Sequence, residues 1–195
     1  FTYDTSLLDW SRKGLLEREI KIYNRLIADF KIKVTFITYG DVGDLKFKKK
    51  LKDIDIFPIY KYIFKSKNKY INLIISFLLP LILHRKLKHG DIYKTNQMWG
   101  SWVALICKWV FRKPLIVRCG YELFSFSLKL NKKWMYLFFV KFISNLAYKN
   151  ADLINISSLA DKNFIIKNFY INEYKIKVLP NWIDTNHFRN LNKNK

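Results

Sequence analysis

The sequence predicts a doubly wound α/β domain on a mostly parallel sheet of six to seven strands. Three observations carry this expectation. Short β-branched apolar runs alternate with longer segments of helical periodicity. The runs are near-continuously apolar, as strands of a parallel sheet covered on both faces are. Half of the 195 residues are apolar and 17% are aromatic, enough to bury one core but too little chain for two ordinary enzyme domains.

Taken in order, Phe1–Asp4 reads as the tail of a first strand. Residues 12–30 place Leu15, Leu16, Ile20, Tyr23, Leu26, Ile27 and Phe30 near i, i+3, i+4 spacing, the stripe of a helix packed on a sheet. Residues 33–39 form a β-branched, aromatic strand that stops at Gly40-Asp41. Lys46, Lys48, Lys49, Lys50 and Lys52 mark a surface helix or loop, and residues 54–58 a short strand. Residues 69–88 carry the most apolar helix, its run from Ile71 to Leu83 flanked by Lys67, Lys69, Arg85, Lys86 and Lys88. That run falls below the roughly 18 residues a crossing helix needs, and Pro80 interrupts it. Strands are expected at 91–95, 114–118, 152–157 and 175–179, with helices at 99–111, 133–149 and 159–169. The expected division is one domain over residues 1–180, with 181–195 beginning a crossover whose polar end, 189–195, reads as linker.

Charge narrows the class of partner. Thirty-six Lys and Arg against fifteen Asp and Glu give a net charge of +21, a field attractive to phosphate on nucleic acid, anionic lipid or nucleotide-sugar. Lys, Ile and Asn dominate throughout, so solvation of surface helices accounts for these lysines equally well. A nucleic-acid module lacks its signatures, since no recognition helix, RRM, KH or OB pattern is present. Cys107 and Cys119 stand without a CxxC or His-rich neighbourhood, and His84, His89 and His187 are scattered. Neither a metal site nor a disulfide framework is indicated, and a reduced, cytoplasmic protein is expected. Phe1 opens on TYDTSLLDW, not on a basic segment and an apolar run, which does not read as a signal peptide.

Doubly wound sheets bind ligands beyond the carboxyl ends of their strands. The residues there are Asp4-Thr5-Ser6 and Gly14; Thr95, Asn96, Gln97, Gly100 and Ser101; Arg118, Gly120, Tyr121 and Glu122; Ser157 and Ser158; and Pro180-Asn181-Trp182-Ile183-Asp184. Gly14 lets backbone approach a phosphate at a helix start, or is an ordinary helix-start glycine. Arg118 offers a bidentate clamp for phosphate or carboxylate, or pairs with Glu122 or Asp152 to hold a loop. Asn96 and Gln97 suit sugar hydroxyls, and equally cap helices. Trp99 and Trp102 supply aromatic faces or core.

The order of SLLDW…GLLEREIKIY, VTFITYGD, KTNQMWGSWVA, PLIVRCGYE, ADLINISS and KVLPNWIDTNHF resembles the N-terminal domain of family 4 glycosyltransferases, from Phe1 to Phe188. In that family a strand followed by P-N-x-x-D-x-x-x-F marks the crossover between two domains, matched here by Pro180, Asn181, Asp184 and Phe188. The resemblance implies one Rossmann-like half of a GT-B fold, the acceptor-side half. It further implies hexosyl transfer from a nucleotide-sugar to a glycan or lipid-linked acceptor, usually with retention and without a metal or other cofactor. Gly14 then approaches the donor diphosphate, and Asn96, Gln97, Ser101, Arg118, Gly120, Tyr121, Ser157 and Asn181 line the substrate cleft. Many members carry a His-containing turn where this chain has Arg118, so that histidine's role is not carried over. The donor half, with its basic pair and E-x7-E motif, is expected in a further domain of the same polypeptide.

The expected setting is cell-surface polysaccharide or glycoconjugate synthesis, with the protein peripheral at an anionic membrane through the basic flanks of 71–83. A non-catalytic acceptor-binding domain is the alternative, and no nucleic-acid partner is expected.

Overall fold

In the computed structural model, which describes residues 2–181, strands and helices alternate as the apolar pattern requires. The chain opens with α1 (Leu7–Arg12), started by a reciprocal cap: Ser6 Oγ accepts the Asp9 N–H, and Asp9 Oδ2 accepts the Ser6 N–H. It turns at Gly14, whose φ of +67° suits glycine, and restarts as α2 (Leu16–Phe30). The helix expected over 12–30 is therefore α2, which starts at Leu16 once Gly14 has turned the chain, and the short α1 before it was not expected.

Next come β1 (Val34–Thr38), a tight 3-10 segment at Val42–Phe47, α3 (Lys48–Leu51) and β2 (Ile54–Pro58). The helix α4 (Lys69–Ile82) holds Pro80 in its last turn and is followed by α5 (His84–Leu87). The rest alternates: β3 (Tyr93–Lys94), α6 (Ser101–Phe111), β4 (Leu115–Cys119), α7 (Leu123–Lys129), α8 (Trp134–Asn150), β5 (Leu153–Ile156), α9 (Leu159–Phe169) and β6 (Ile176–Val178). Among the described residues no helix is long and apolar enough to cross a membrane.

All pairings are parallel, but the strands form two sheets, β1-β2 and β3-β4-β5-β6. A seventh strand at 1–4 is not formed: Tyr3 and Asp4 lie in a turn, with Asp4 at φ 53°, and Phe1 lies outside the described residues. That turn explains the division into two sheets. The Tyr3 N–H donates to Trp99 O at 3.1 Å beyond β3, and the Tyr39 N–H donates to Thr5 O at 3.0 Å beyond β1. Single bonds join the sheets at their carboxyl ends where a strand would have supplied a ladder. Gly100 permits this contact, because a Cβ there would stand 2.4 Å from the Tyr3 nitrogen.

Two apolar clusters follow the two sheets. The smaller gathers Leu7, Leu16, Ile20, Leu51 and Ile54 between α1, α2 and the β1-β2 pair. The larger lies between the four-stranded sheet and a layer in which α4 packs on α6, α6 on α8 and α8 on α9. Trp102 anchors it, stacked on Phe77 at 5.1 Å and donating its Nε1–H to Ser76 Oγ at 2.9 Å. Along β4, Leu115, Val117 and Cys119 are buried while Ile116 and Arg118 are half-buried. The strand is thus covered more fully on one face than the other, an alternation that the expectation of two covered faces did not contain.

Candidate functional site

The period of two along β4 decides where Arg118 points: its neighbours Val117 and Cys119 enter the core, so its guanidinium emerges on the opposite face. Thr95, fully buried, fixes the end of β3 to β4 by accepting the Arg118 N–H at 3.0 Å and donating to Arg118 O at 3.2 Å. Asn96 then sits beside the guanidinium. Arg118 donates from Nη1 to Asn96 Oδ1 at 2.6 Å and from Nη2 to Asn181 Oδ1 at 3.2 Å. Two loops, after β3 and β6, therefore meet on one cation at the end of β4.

Behind this cation lies a charged group that sequence reasoning missed. Glu19 of α2 is 2% exposed and has its Oε1 3.8 Å from Arg118 Nη1 and 3.2 Å from Arg18 Nη2. Lys94 of β3 donates to Tyr23 Oη at 2.6 Å and lies 5.1 Å from the centre of its ring. Burial, and then the positive charge of Arg118, hold the Lys94 ammonium down to about 8, partly offset by Glu19. Burial likewise raises the Tyr23 phenol. Three cations share one buried carboxylate here, an arrangement that favours an anion arriving from solvent. A legible signal existed: Glu19 lies on the same stripe of α2 as Leu16, Ile20 and Tyr23, an acid on an apolar face.

Gly120 stands at the centre of the polar loops. A Cβ on it would lie 3.6 Å from Gln97 Nε2 and 3.9 Å from Asn181 Nδ2, and its carbonyl accepts the Ser157 hydroxyl at 2.6 Å. Gln97 and Tyr121 also line a cleft of about 170 Å³ whose other walls include Tyr3, Trp99 and Leu123. The structure thus brings Asn96, Gln97, Arg118, Gly120, Tyr121, Ser157 and Asn181 to one end of the sheet.

Two expected residues stand apart from this group. Ser101 is fully buried in the first turn of α6, its hydroxyl directed at Met98 Sδ at 3.3 Å, so it presents nothing to a ligand. Gly14 lies in the open turn between α1 and α2. The first turn of α2 already holds Glu17 and Glu19, whose charge offsets the positive helix end on which phosphate binding depends. The two pairings considered for Arg118 are also replaced. Glu122 caps α7 by accepting the Ser125 N–H at 2.5 Å and is 3.2 Å from Tyr148 Oη, while burial raises its carboxyl above the usual range. Asp152 accepts from Lys108 Nζ at 2.6 Å and the Leu115 N–H at 2.7 Å. Trp102 is core, and Trp99 remains at the cleft wall. Among the described residues no three His, Cys, Asp or Glu side chains gather as metal ligands. Trp182, Ile183, Asp184, His187 and Phe188, with the rest of 182–195, lie outside the described residues.

Parallel strands wound by helices, with polar loops gathered beyond the strand ends, define a Rossmann-like α/β domain. Solved structures share this fold. Anabaena HepE in complex with UDP and glucose superposes with a TM-score of 0.52 at 17% identity, over 78% of this chain and 37% of HepE. HepE with UDP gives 0.53 at 15% identity over 82% of this chain and 39% of HepE. HepE with UDP-glucose gives 0.52 at 16% identity, over 78% and 37%. The chain spans under two-fifths of the length of these structures. No protein-family model matches the sequence, and no curated protein does.

Proposed function

We propose that the chain is the acceptor-side half of a glycosyltransferase of the two-domain GT-B kind, resembling family 4, that takes a hexosyl group from a nucleotide-sugar. The observation that carries the reading is the convergence of Asn96, Gln97, Arg118, Gly120 and Asn181 beyond β3, β4 and β6, where doubly wound folds hold ligands. The binding of UDP and UDP-glucose by HepE, a protein of the same fold, supports a nucleotide-sugar as the donor.

In this reading Arg118, backed by Lys94, supplies positive charge toward the donor diphosphate. Gln97 offers amide hydrogen bonds to sugar hydroxyls, and Trp99 and Tyr121 offer ring faces for a pyranose. The acceptor hydroxyl bonds to the anomeric carbon with loss of its proton, and the nucleoside diphosphate leaves. The acceptor is a glycan or lipid-linked sugar of cell-surface assembly, and the second Rossmann-like domain holds most of the donor.

The test is consumption of a panel of nucleotide-sugars by the full-length polypeptide and its Arg118→Ala and Gln97→Ala variants. Loss of kcat/KM by about tenfold or more in both is expected, the scale of one charge-assisted hydrogen bond. Unchanged kinetics in both variants, or no consumption of any donor, would overturn the reading.

A further inference from the structure

The helical layer of the larger sheet exposes more apolar surface than its packing explains. On α4, Tyr70, Ile74, Leu78 and Ile82 repeat every four residues along one outward line and are 65%, 62%, 46% and 52% exposed. On α8, Trp134, Phe138 and Phe142 form a second line, 75%, 69% and 53% exposed. Because α4 packs on α6 and α6 on α8, with Trp109 and Val110 of α6 also exposed, the stripes belong to one layer.

The charge around this layer is one-sided. Between Asp55 and Asp152 the chain carries seventeen Lys and Arg and two acids, Asp91 and Glu122, of which Glu122 is buried. Nine of the fifteen acidic residues lie instead in the first 55 residues, on and around α1 to α3 and the β1-β2 pair. Exposed Lys65, Lys67 and Lys69 lead into α4, and exposed Lys129, Lys132 and Lys133 lead into α8. β4 and β5 are neighbouring parallel strands, so the α7–α8 return between them begins at their carboxyl ends, the side on which Lys129, Lys132 and Lys133 lead into α8.

We propose that the outer face of α4 and α8 docks on an anionic lipid bilayer, aliphatic and aromatic side chains entering the headgroup boundary and the lysines meeting lipid phosphates. Contiguous apolar patches of this kind mark interaction surfaces. Stripes edged by cations fit a bilayer interface carrying negative charge. A second copy of the chain would bring the same net-cationic surface against itself, and a nucleic acid would gain nothing from the projecting stripes. The face lies apart from the cleft residues, so the inference does not rest on the glycosyltransferase reading.

The experiment is co-sedimentation of the chain with phosphatidylcholine vesicles, with and without phosphatidylglycerol, alongside light scattering of the free protein. Pelleting with phosphatidylglycerol vesicles at low salt is expected, weakening as salt rises. Partitioning should fall about tenfold or more both in Ile74→Asp/Phe138→Asp and in Lys132→Glu/Lys133→Glu, while Lys13→Glu/Lys49→Glu, outside that layer at the end of α1 and on α3, stays within about twofold of wild type. The substituted sites are exposed, and unchanged circular dichroism confirms folding. Three outcomes would overturn the proposal: no pelleting at low salt, pelleting indifferent to the aspartates, or an equal loss in the Lys13/Lys49 variant. A dimer that Phe138→Asp dissociates, without vesicle binding, would assign the face to self-association instead. Sugar transfer is not read in this assay, so its failure leaves the glycosyltransferase reading standing, and the reverse holds too.

Discussion

Arg118 Nη1 donates to Asn96 Oδ1 at 2.6 Å, across two neighbouring parallel strands and 22 residues of sequence. The bond ties the loop after β3 to the end of β4, and the same guanidinium reaches Asn181 after β6. One planar cation thereby sets the positions of two loops relative to the end of β4 at the open end of the sheet, and Glu19 holds it from behind.

Lysine cannot reproduce that geometry, because a single ammonium lacks the planar fork that spans both amides. Arg118→Lys in the full-length polypeptide is expected to lower kcat/KM for a nucleotide-sugar by about tenfold, with Arg118→Ala lower still. Steady-state kinetics check this. If Lys retains full activity, the geometry of the fork is irrelevant and only its charge acts.

Much of this arrangement is legible in the sequence. The strand at 54–58 and the helix at 159–169 occur as their local patterns predict, because periodicity and breaker residues are short-range signals. Asn96, Gln97, Arg118, Gly120 and Asn181 are recoverable for a related reason: they follow strands, and the fold assigns ligands to that edge. Division of the strands into two sheets is not recoverable, since it depends on the turn at Tyr3 and Asp4 and its bonds to Trp99 and Tyr39. Lys94 and Tyr23 stay hidden because their contact spans 71 residues. The α8 stripe is hidden too, as residues 133–149 are apolar on nearly every side and periodicity does not say which side is covered.

Gly100 permits the close approach of residues 2–5. Its φ is +95°, and a Cβ at this position would stand 2.4 Å from the Tyr3 nitrogen, so alanine both strains the backbone and pushes the N-terminal turn away. Gly100→Ala is expected to destabilise by about 1–3 kcal/mol in urea melts. A loss below about 0.5 kcal/mol would show that the clasp between Tyr3 and Trp99 contributes little.

Cys107 and Cys119 are both buried, and burial pushes each thiol up to about 12. Thiolate is the reactive form, so neither should react with a disulfide reagent at neutral pH while the fold is intact, and both should react in denaturant. Counting thiols by absorbance in the two conditions tests this. Rapid native labelling of Cys119 would mean that the end of β4 opens far more often than its packing implies.

Glu122 and Lys94 make opposite claims on pH. The folded carboxyl of Glu122 is raised by burial, so as pH climbs from about 4.3 the unfolded chain loses its proton first. The folded state then holds more protons, and the contribution of Glu122, fully present below the unfolded value, is lost as pH rises through the folded one. Glu122→Gln keeps the capping oxygen without the charge. Its stability should match wild type at acid pH and exceed it near neutrality; parallel curves would count against a raised carboxyl.

For Lys94 the folded ammonium titrates at about 8, against about 10.4 unfolded. Between those values the unfolded chain binds more protons, so stability rises with pH across the window, while below about 8 the cost of burying the charge is present in full. Integrated over that gap the effect is at most about 3 kcal/mol. Lys94→Met removes the titration, so wild type should gain on the variant steadily from about pH 8 to 10 in denaturant melts and not below. The same buried charge bears on function. A phosphate reaching Arg118 and Lys94 offsets their mutual repulsion, so a bound nucleotide-sugar should move the onset of that gain to higher pH. An onset that ignores saturating ligand would place the diphosphate elsewhere on the sheet edge and leave Lys94 as a strut between β3 and Tyr23.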